Sequence, residues 1–293
     1  MNIYNEIKYK MIHSGSRVNL FIGINIIVFV LIALIRLGEW LFTRQTSIGG
    51  AITYYLAVPS DGQTMLYRIW TPFTYMFVHD QGDFFHILFN MLWLFWMGRI
   101  FEEFLNSRQL TFVYIAGGLA GAFFFVLCYN IIPAFSFEVS SAVAIGASAS
   151  VMAIIIATAT LLPDYSISLL LFGPVRLKWI AVIYVIFDIL QLSGDNAGGH
   201  LAHLGGALFG FFYIKSLQRG NDWNKFFMNI FKRKKKLKVV SKNYQGRTAA
   251  RTNRPDQKTI DEILDKISQS GYDKLTAQEK EILFRASESN EEK

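Results

Sequence analysis

The chain has 293 residues, of which 52% are hydrophobic and only 17% charged, with a net charge of +7. Several apolar stretches reach the roughly 20 residues needed to cross a bilayer core, which sets aside a soluble globular domain in favour of an all-α polytopic membrane protein. A single cysteine, Cys128, lies inside one of these stretches, so a disulfide framework and a cysteine-based metal site are both excluded.

In chain order, residues 1–17 form a polar leader carrying Lys8, Lys10 and Arg17. The first apolar run, 18–37, is too long for a signal-peptide core and lacks a cleavage site, so it reads as a retained helix. The connection 38–83 is long, aromatic and punctuated by Pro59 and Pro72. Connections of this length without their own structure are functional or disordered, and its aromatics suit the membrane interface. Five further spans follow at 84–104, 110–132, 145–162, 179–192 and 200–217, the fifth being short unless it begins within 166–177. They complete a membrane domain over 18–217.

Positive charge orients these spans. Arg99 and Arg108 flank one connection, Arg176 and Lys178 another, and Lys215, Arg219 and Lys225 follow the last span. With the basic leader, this pattern predicts both termini in the cytoplasm of a cell-membrane protein, and puts the starts of the second, fourth and sixth spans on the outer side.

Beyond the spans, 218–255 is a basic juxtamembrane segment and linker. Trp223, Phe226, Phe227, Ile230 and Phe231 precede the run Lys232 to Lys236, which fits an interfacial helix on anionic lipid and equally a topology-fixing stop. Its position against a span argues against nucleic acid as a partner. Within 256–293, Ile260, Ile263, Leu264 and Ile267 recur at helical spacing, Gly271 is a stop, and Thr276 with Glu279 forms a capping box. This predicts a small cytoplasmic helical hairpin whose partner the sequence does not name.

Ionisable groups inside a bilayer are costly and point to function. Of five histidines, His13 lies in the leader and His79 in the outer connection, leaving His86, His200 and His203 near outer ends of spans. His86 and Asn90 are four apart and share a helix face. A histidine seated in the interface and an asparagine bonded to another helix would account for the pair equally well. Ser148 follows Gly146 and Ala147, which leave its backbone uncrowded. In the first turn of a helix its amide has no intrahelical acceptor and lies at the positive end of the dipole. A capping role is the bland reading, and Ser150 could cap or pack as well.

His203 shares a face with Gly206 and Gly210, and the fourth span offers a matching smooth stripe in Ala149, Ala153 and Ala157. Packing these stripes together would bring an imidazole base to a serine nucleophile. His200, one turn earlier, is expected to be wetter and receives no role.

In this order, His86-x-x-x-Asn90, Gly146-Ala147-Ser148 and Ala202-His203 followed by Gly206-x-x-x-Gly210 resemble the signatures of the rhomboid intramembrane serine proteases. The resemblance covers 68–217 and includes Gly98-x-x-x-Glu102. It implies a six-helix rhomboid-like bundle with a water-filled site open to the outside. It also implies a Ser148–His203 catalytic dyad, with His86 and Asn90 at the oxyanion hole and no cofactor or metal. Substrates would be membrane proteins, single-span or polytopic, cut within helix-weakened transmembrane segments. Three positions depart from the family pattern. Ala149 replaces a glycine after the nucleophile, Met152 an aromatic that stacks on the histidine, and Arg68-Ile69-Trp70 is not the family's Trp-Arg pair. No third carboxylate is evident, since Asp188 falls in mid-span and Asp195 in an outer loop.

Other classes fit less well. A zinc protease needs His-Glu-x-x-His, which is absent. An aspartyl type needs two intramembrane aspartates, and only Leu192-Ser193-Gly194-Asp195, in a loop, approaches its motif. A transporter lacks support because no broken-helix repeat occurs in corresponding halves. The rival from another class is a proteolytically inactive rhomboid-like protein that binds membrane clients.

Overall fold

The computed structural model describes residues 15–169, 173–225, 227 and 256–291. The expected leader before Gly15, the basic run 232–236 and the linker 240–255 lie outside the described residues.

Helix α1, Arg17–Thr43, continues six residues past the expected end and stops at Arg44, whose left-handed φ of 60° lets its N–H return to the Trp40 carbonyl. The extension has a local cause. Glu39 interrupts the apolar run, but its carboxylate accepts hydrogen bonds from the Ile48 and Gly49 amides and the Ser47 hydroxyl. These groups open α2, Ser47–Leu56. A carboxylate at that N-terminus satisfies orphan donors and complements the helix dipole.

The connection 38–83 is therefore a series of short elements, not an unstructured loop. After α2 come β1, Val58–Pro59, then α3, Gly62–Tyr67, capped by Asp61, and α4, Thr71–Thr74, with Pro72 in its first turn. A 3-10 turn over Tyr75–Phe77 completes it. β1 pairs antiparallel with β2, Val143–Ala144, through Val58↔Ala144 and Pro59↔Val143. That pairing fastens the 38–83 segment to the residues entering α7.

Helices α5, Phe84–Phe104, and α6, Ser107–Ile131, are capped by Asp83 and Asn106. Then come α7, Ser148–Leu161, α8, Leu177–Leu190, and α9, Ala197–Gln218. The stretch offered as a possible start for the fifth span instead forms an antiparallel pair, β3 Ser166–Leu169 with β4 Gly173–Arg176, and α8 begins only at Leu177. Among the described helices α1, α5 and α6 are long and apolar enough to cross a membrane; α7 is apolar but only 14 residues long.

The core is α7 wrapped by α6 and α9, with α7 buried from Ala149 through Ala159. A β-carbon on Gly206 or Gly210 of α9 would run into the carbonyl oxygens of Ala149 and Ala153, so the expected contact between the two small-residue stripes is present. A third wall joins it: Gly117 and Gly121 of α6 lie against the β-carbons of Ala153 and Ala149. Small residues let helix backbones approach closely where lipid supplies no hydrophobic drive for association.

Glu102, near the end of α5, accepts 2.7 Å hydrogen bonds from the Ser16 hydroxyl and the Arg17 amide, which ties the start of α1 to α5. Gly98, one turn earlier, makes room for Val18.

The C-terminal unit holds α10, Gln257–Ser270, and α11, Ala277–Glu291. Gly271 ends α10 with φ +82°, and the capping box forms, with the Thr276 amide donating to Glu279 at 2.7 Å. Lys266 and Glu279 pair at 2.7 Å, and that pairing with the Thr276 bonds holds the Glu279 carboxyl down at about 2.

Candidate active site

From β2 the chain turns into α7 through Ile145, Gly146 and Ala147. Gly146 has φ +120°, a conformation open to glycine and strained for other residues, and its N–H donates to the Tyr75 carbonyl at 2.9 Å. A β-carbon here would stand 3.0 Å from Cε1 and Nε2 of His86 and 3.4 Å from Oγ of Ser148. The turn therefore brings the Ser148 hydroxyl and the His86 ring close to one bare backbone position. Ser148 is the first residue of α7, so its amide lacks an intrahelical acceptor and sits in the positive field of the helix end.

His86 lies in the first turn of α5 and meets His79 edge-on, ring centroids 5.2 Å apart. His79 is fully buried, and its Nε2 accepts from the Ala147 amide at 3.4 Å. Burial, with repulsion from His86 added, pushes the His79 pKa down to about 3, so the ring is neutral at physiological pH and available as an acceptor. The sequence reading left His79 in the outer connection without a role. No periodic spacing marks it, because the segment joining it to His86 is not helical.

Asn90, one turn beyond His86 and buried, donates from Nδ2 to the His86 carbonyl at 2.8 Å. Its bond is thus to its own helix, not to a neighbouring one, and the second amide hydrogen remains for another acceptor.

His203, on α9, corrects the expectation that no carboxylate attends it. Its Nδ1 lies 2.9 Å from Oδ1 of Asp188 on α8, and His200 Nδ1 lies 2.7 Å from the same oxygen. Asp188 is 1% exposed. His200, expected to be the wetter ring, is the drier: its side chain is 12% exposed against 21% for His203. The missed signal was Asp188 itself, an ionisable residue in the apolar run Leu177 to Leu190, which demands a partner on a neighbouring helix.

Ser148, His203, His86, Asn90, His200 and Asp188 all line one cavity of about 590 Å³ between α5, α7, α8 and α9. Met152 lines it too, and packs with Ile156 and Ala207 against Tyr184 and Val185. A thioether thus occupies the place of the expected aromatic, a role its flexible, polarisable chain can fill. Ser150 is fully buried beside Met76 and serves packing. Arg68 lies outside the cavity lining, its guanidinium 4.6 Å from the ring centroids of Tyr54 and Tyr55.

This constellation can be set beside known proteins. The Rhomboid domain family matches residues 66–219, a little over half of the chain, and the match contains every cavity residue named above. The chain belongs to the rhomboid family. This rhomboid-family membrane protein is also similar to RHOMBOID-like protein 12, mitochondrial, of Arabidopsis thaliana, with 30% identity over 150 residues. That alignment takes in 48% of the chain and 44% of the Arabidopsis protein, so the chain spans less than half of that relative's length. A second family, of unknown function and designated DUF6576, matches residues 249–289, across α10 and most of α11.

In this rhomboid one group of metal-type donors occurs among the described residues: Asp188, His200 and His203, with ligand atoms within 4.8 Å of one another. The two N···O separations are hydrogen-bond lengths, and one carboxylate oxygen accepting two imidazole N–H groups accounts for the grouping.

Proposed function

We propose that this protein is an intramembrane serine endopeptidase that cleaves transmembrane segments of other membrane proteins. One observation carries the reading: a serine at a helix N-terminus and a histidine from a neighbouring helix line the same cavity, with His86 and Asn90 beside them. In the mechanism, Ser148 Oγ attacks a peptide carbonyl while His203 takes its proton, and His203 then protonates the leaving amine. Water hydrolyses the acyl-enzyme by the same route. The Ser148 amide, the free Asn90 amide hydrogen and the His86 ring hold the oxyanion.

Hydrolysis needs water where lipid excludes it. Helix α7, with 14 residues, rises about 21 Å and is shorter than a bilayer core of about 30 Å. In this proposal its first residue lies below the outer surface and is reached through the cavity that it lines. A substrate helix must unwind locally to present its carbonyl, which favours segments rich in helix-weakening residues.

The finer architecture belongs to the same proposal. The six spans are α1, α5, α6, α7, α8 and α9, both termini face the cytoplasm of a cell-membrane protein, and α10 with α11 forms a cytoplasmic hairpin. No cofactor takes part.

Purified protein in lipid should cut a model single-span substrate, and a fluorophosphonate should label Ser148. Ser148→Ala and His203→Ala should each abolish cutting with the fold retained. Cleavage by the Ser148→Ala protein would exclude this nucleophile. Absence of cleavage by the wild type across varied substrates would favour client binding without proteolysis.

A further inference from the structure

Asp188 is the one acidic residue of α8, and its burial inside a membrane helix is expensive unless its charge is answered. Its Oδ1 receives both His200 Nδ1 and His203 Nδ1, while Oδ2 is buried with no hydrogen-bond partner. A carboxylate serving only to join helices would gain most by using both oxygens. Here a single oxygen meets two imidazoles of one helix, and both rings line the cavity that holds Ser148.

We propose that Asp188 is a positioning residue that completes a Ser148–His203–Asp188 relay, and that His200 holds the carboxylate in place. This rests on the proteolytic reading given above. A carboxylate only accepts, so each imidazole must present Nδ1–H to it, which fixes His203 in the tautomer with its lone pair on Nε2. Nε2 is then the one ring nitrogen able to take the Ser148 proton. As the Oγ–C bond forms, the proton moves from Oγ to Nε2, and Nδ1–H stays on Asp188 while the ring becomes an imidazolium. When the C–N bond breaks, the Nε2 proton leaves with the amine. Asp188 never carries a proton; it orients the ring and stabilises its transient charge.

His200 bonds the same oxygen at 2.7 Å. Its ring also meets Phe187 edge-on at 5.9 Å and His203 at 5.6 Å, contacts that hold the His200 ring itself in place.

Asp188 from α8 and His200 from α9 contact the His203 ring, and Tyr184 from α8 and His86 from α5 line the same cavity. Of these, Asp188 is hydrogen-bonded to the ring.

The decisive experiment combines turnover with imidazole nitrogen NMR on the full-length protein in lipid. In the wild type, His203 should show a protonated Nδ1 and a lone pair on Nε2. In Asp188→Asn, kcat and the rate of fluorophosphonate labelling should fall on the order of 10² to 10⁴-fold with KM little changed, as for loss of a tautomer-fixing carboxylate. Asp188→Glu should recover part of that loss, and His200→Ala should cost far less than Asp188→Asn. A wild-type His203 protonated on Nε2 would overturn the proposal, and so would an Asp188→Asn protein with unchanged kcat. If Asp188→Asn fails to fold, the wild-type tautomer alone decides. A wild type that neither cleaves nor is labelled sinks the proteolytic reading instead, and the nitrogen spectrum still judges the contact to Asp188.

Discussion

Gly206 presents its bare backbone to the carbonyl oxygen of Ala149, so that α9 rests on α7 with no side chain between them. The contact lies one turn from His203 and one residue from Ser148, and it sets their separation. Gly206→Val should force the helices apart, costing about 1–3 kcal/mol as other overpacked contacts do, and should remove cleavage. Gly210→Val, against the Ala153 carbonyl, should lower the unfolding midpoint similarly but spare more activity. Thermal unfolding in detergent with parallel cleavage assays checks both. A Gly206→Val protein with a wild-type midpoint would contradict the packing.

Gly146→Ala tests the turn before Ser148, the proposed nucleophile. The new β-carbon would take a left-handed position against the His86 ring, at a cost of about 1–2 kcal/mol in backbone strain. Because the displaced groups are His86 and Ser148, kcat should fall more than tenfold while the protein stays folded. Unchanged kcat would mean that this turn does not set the geometry of the serine.

Asn90→Ala removes the amide hydrogen not taken by the His86 carbonyl. Turnover should fall about 10² to 10³-fold, the usual loss for one oxyanion donor, with little change in KM. Steady-state kinetics separates the two parameters. If only KM rises, Asn90 binds substrate and does not stabilise the oxyanion.

His79 gives a pH dependence with a definite sign. Its value of about 3 in the fold lies below the ordinary 6.5, so the unfolded chain takes up the proton first. The stability it confers is whole above the unfolded value and drains away as pH falls from there toward the folded one. The wild-type unfolding midpoint should therefore drop between neutral pH and about pH 5, and His79→Phe should flatten that limb. Parallel curves for the two proteins would show that His79 is not the group responsible.

Much of the membrane helical framework was legible because apolar length and basic flanks act locally. So was the α7–α9 contact, since Ala149, Ala153, Gly206 and Gly210 carry their spacing in the sequence. Three features escaped. The elements within 38–83 hide from hydropathy because they begin at caps such as Asp61 and end within a few residues. His79 reaches Ala147 only through the fold of that segment. Asp188 was visible as an anomaly, but which imidazole it serves depends on how α8 rotates against α9, and periodicity carries no information on that angle.

Helix α1, with 27 residues, rises about 40 Å, whereas α8, with 14, rises about 21 Å. Both turn large apolar side chains outward, Leu41 and Phe42 on one and Ile183 and Leu190 on the other. With the six spans proposed above, acyl chains around the molecule meet two heights of wall, taller than the hydrocarbon layer at α1 and lower at α8. Hydrophobic mismatch of this kind costs fractions of a kcal/mol per Å and is relieved by tilting the long helix and thinning the leaflets beside the short one. On that reading the annulus is shallowest along α8, the helix that carries Asp188, so solvent and lipid headgroups come nearest to the Ser148 cavity on that flank.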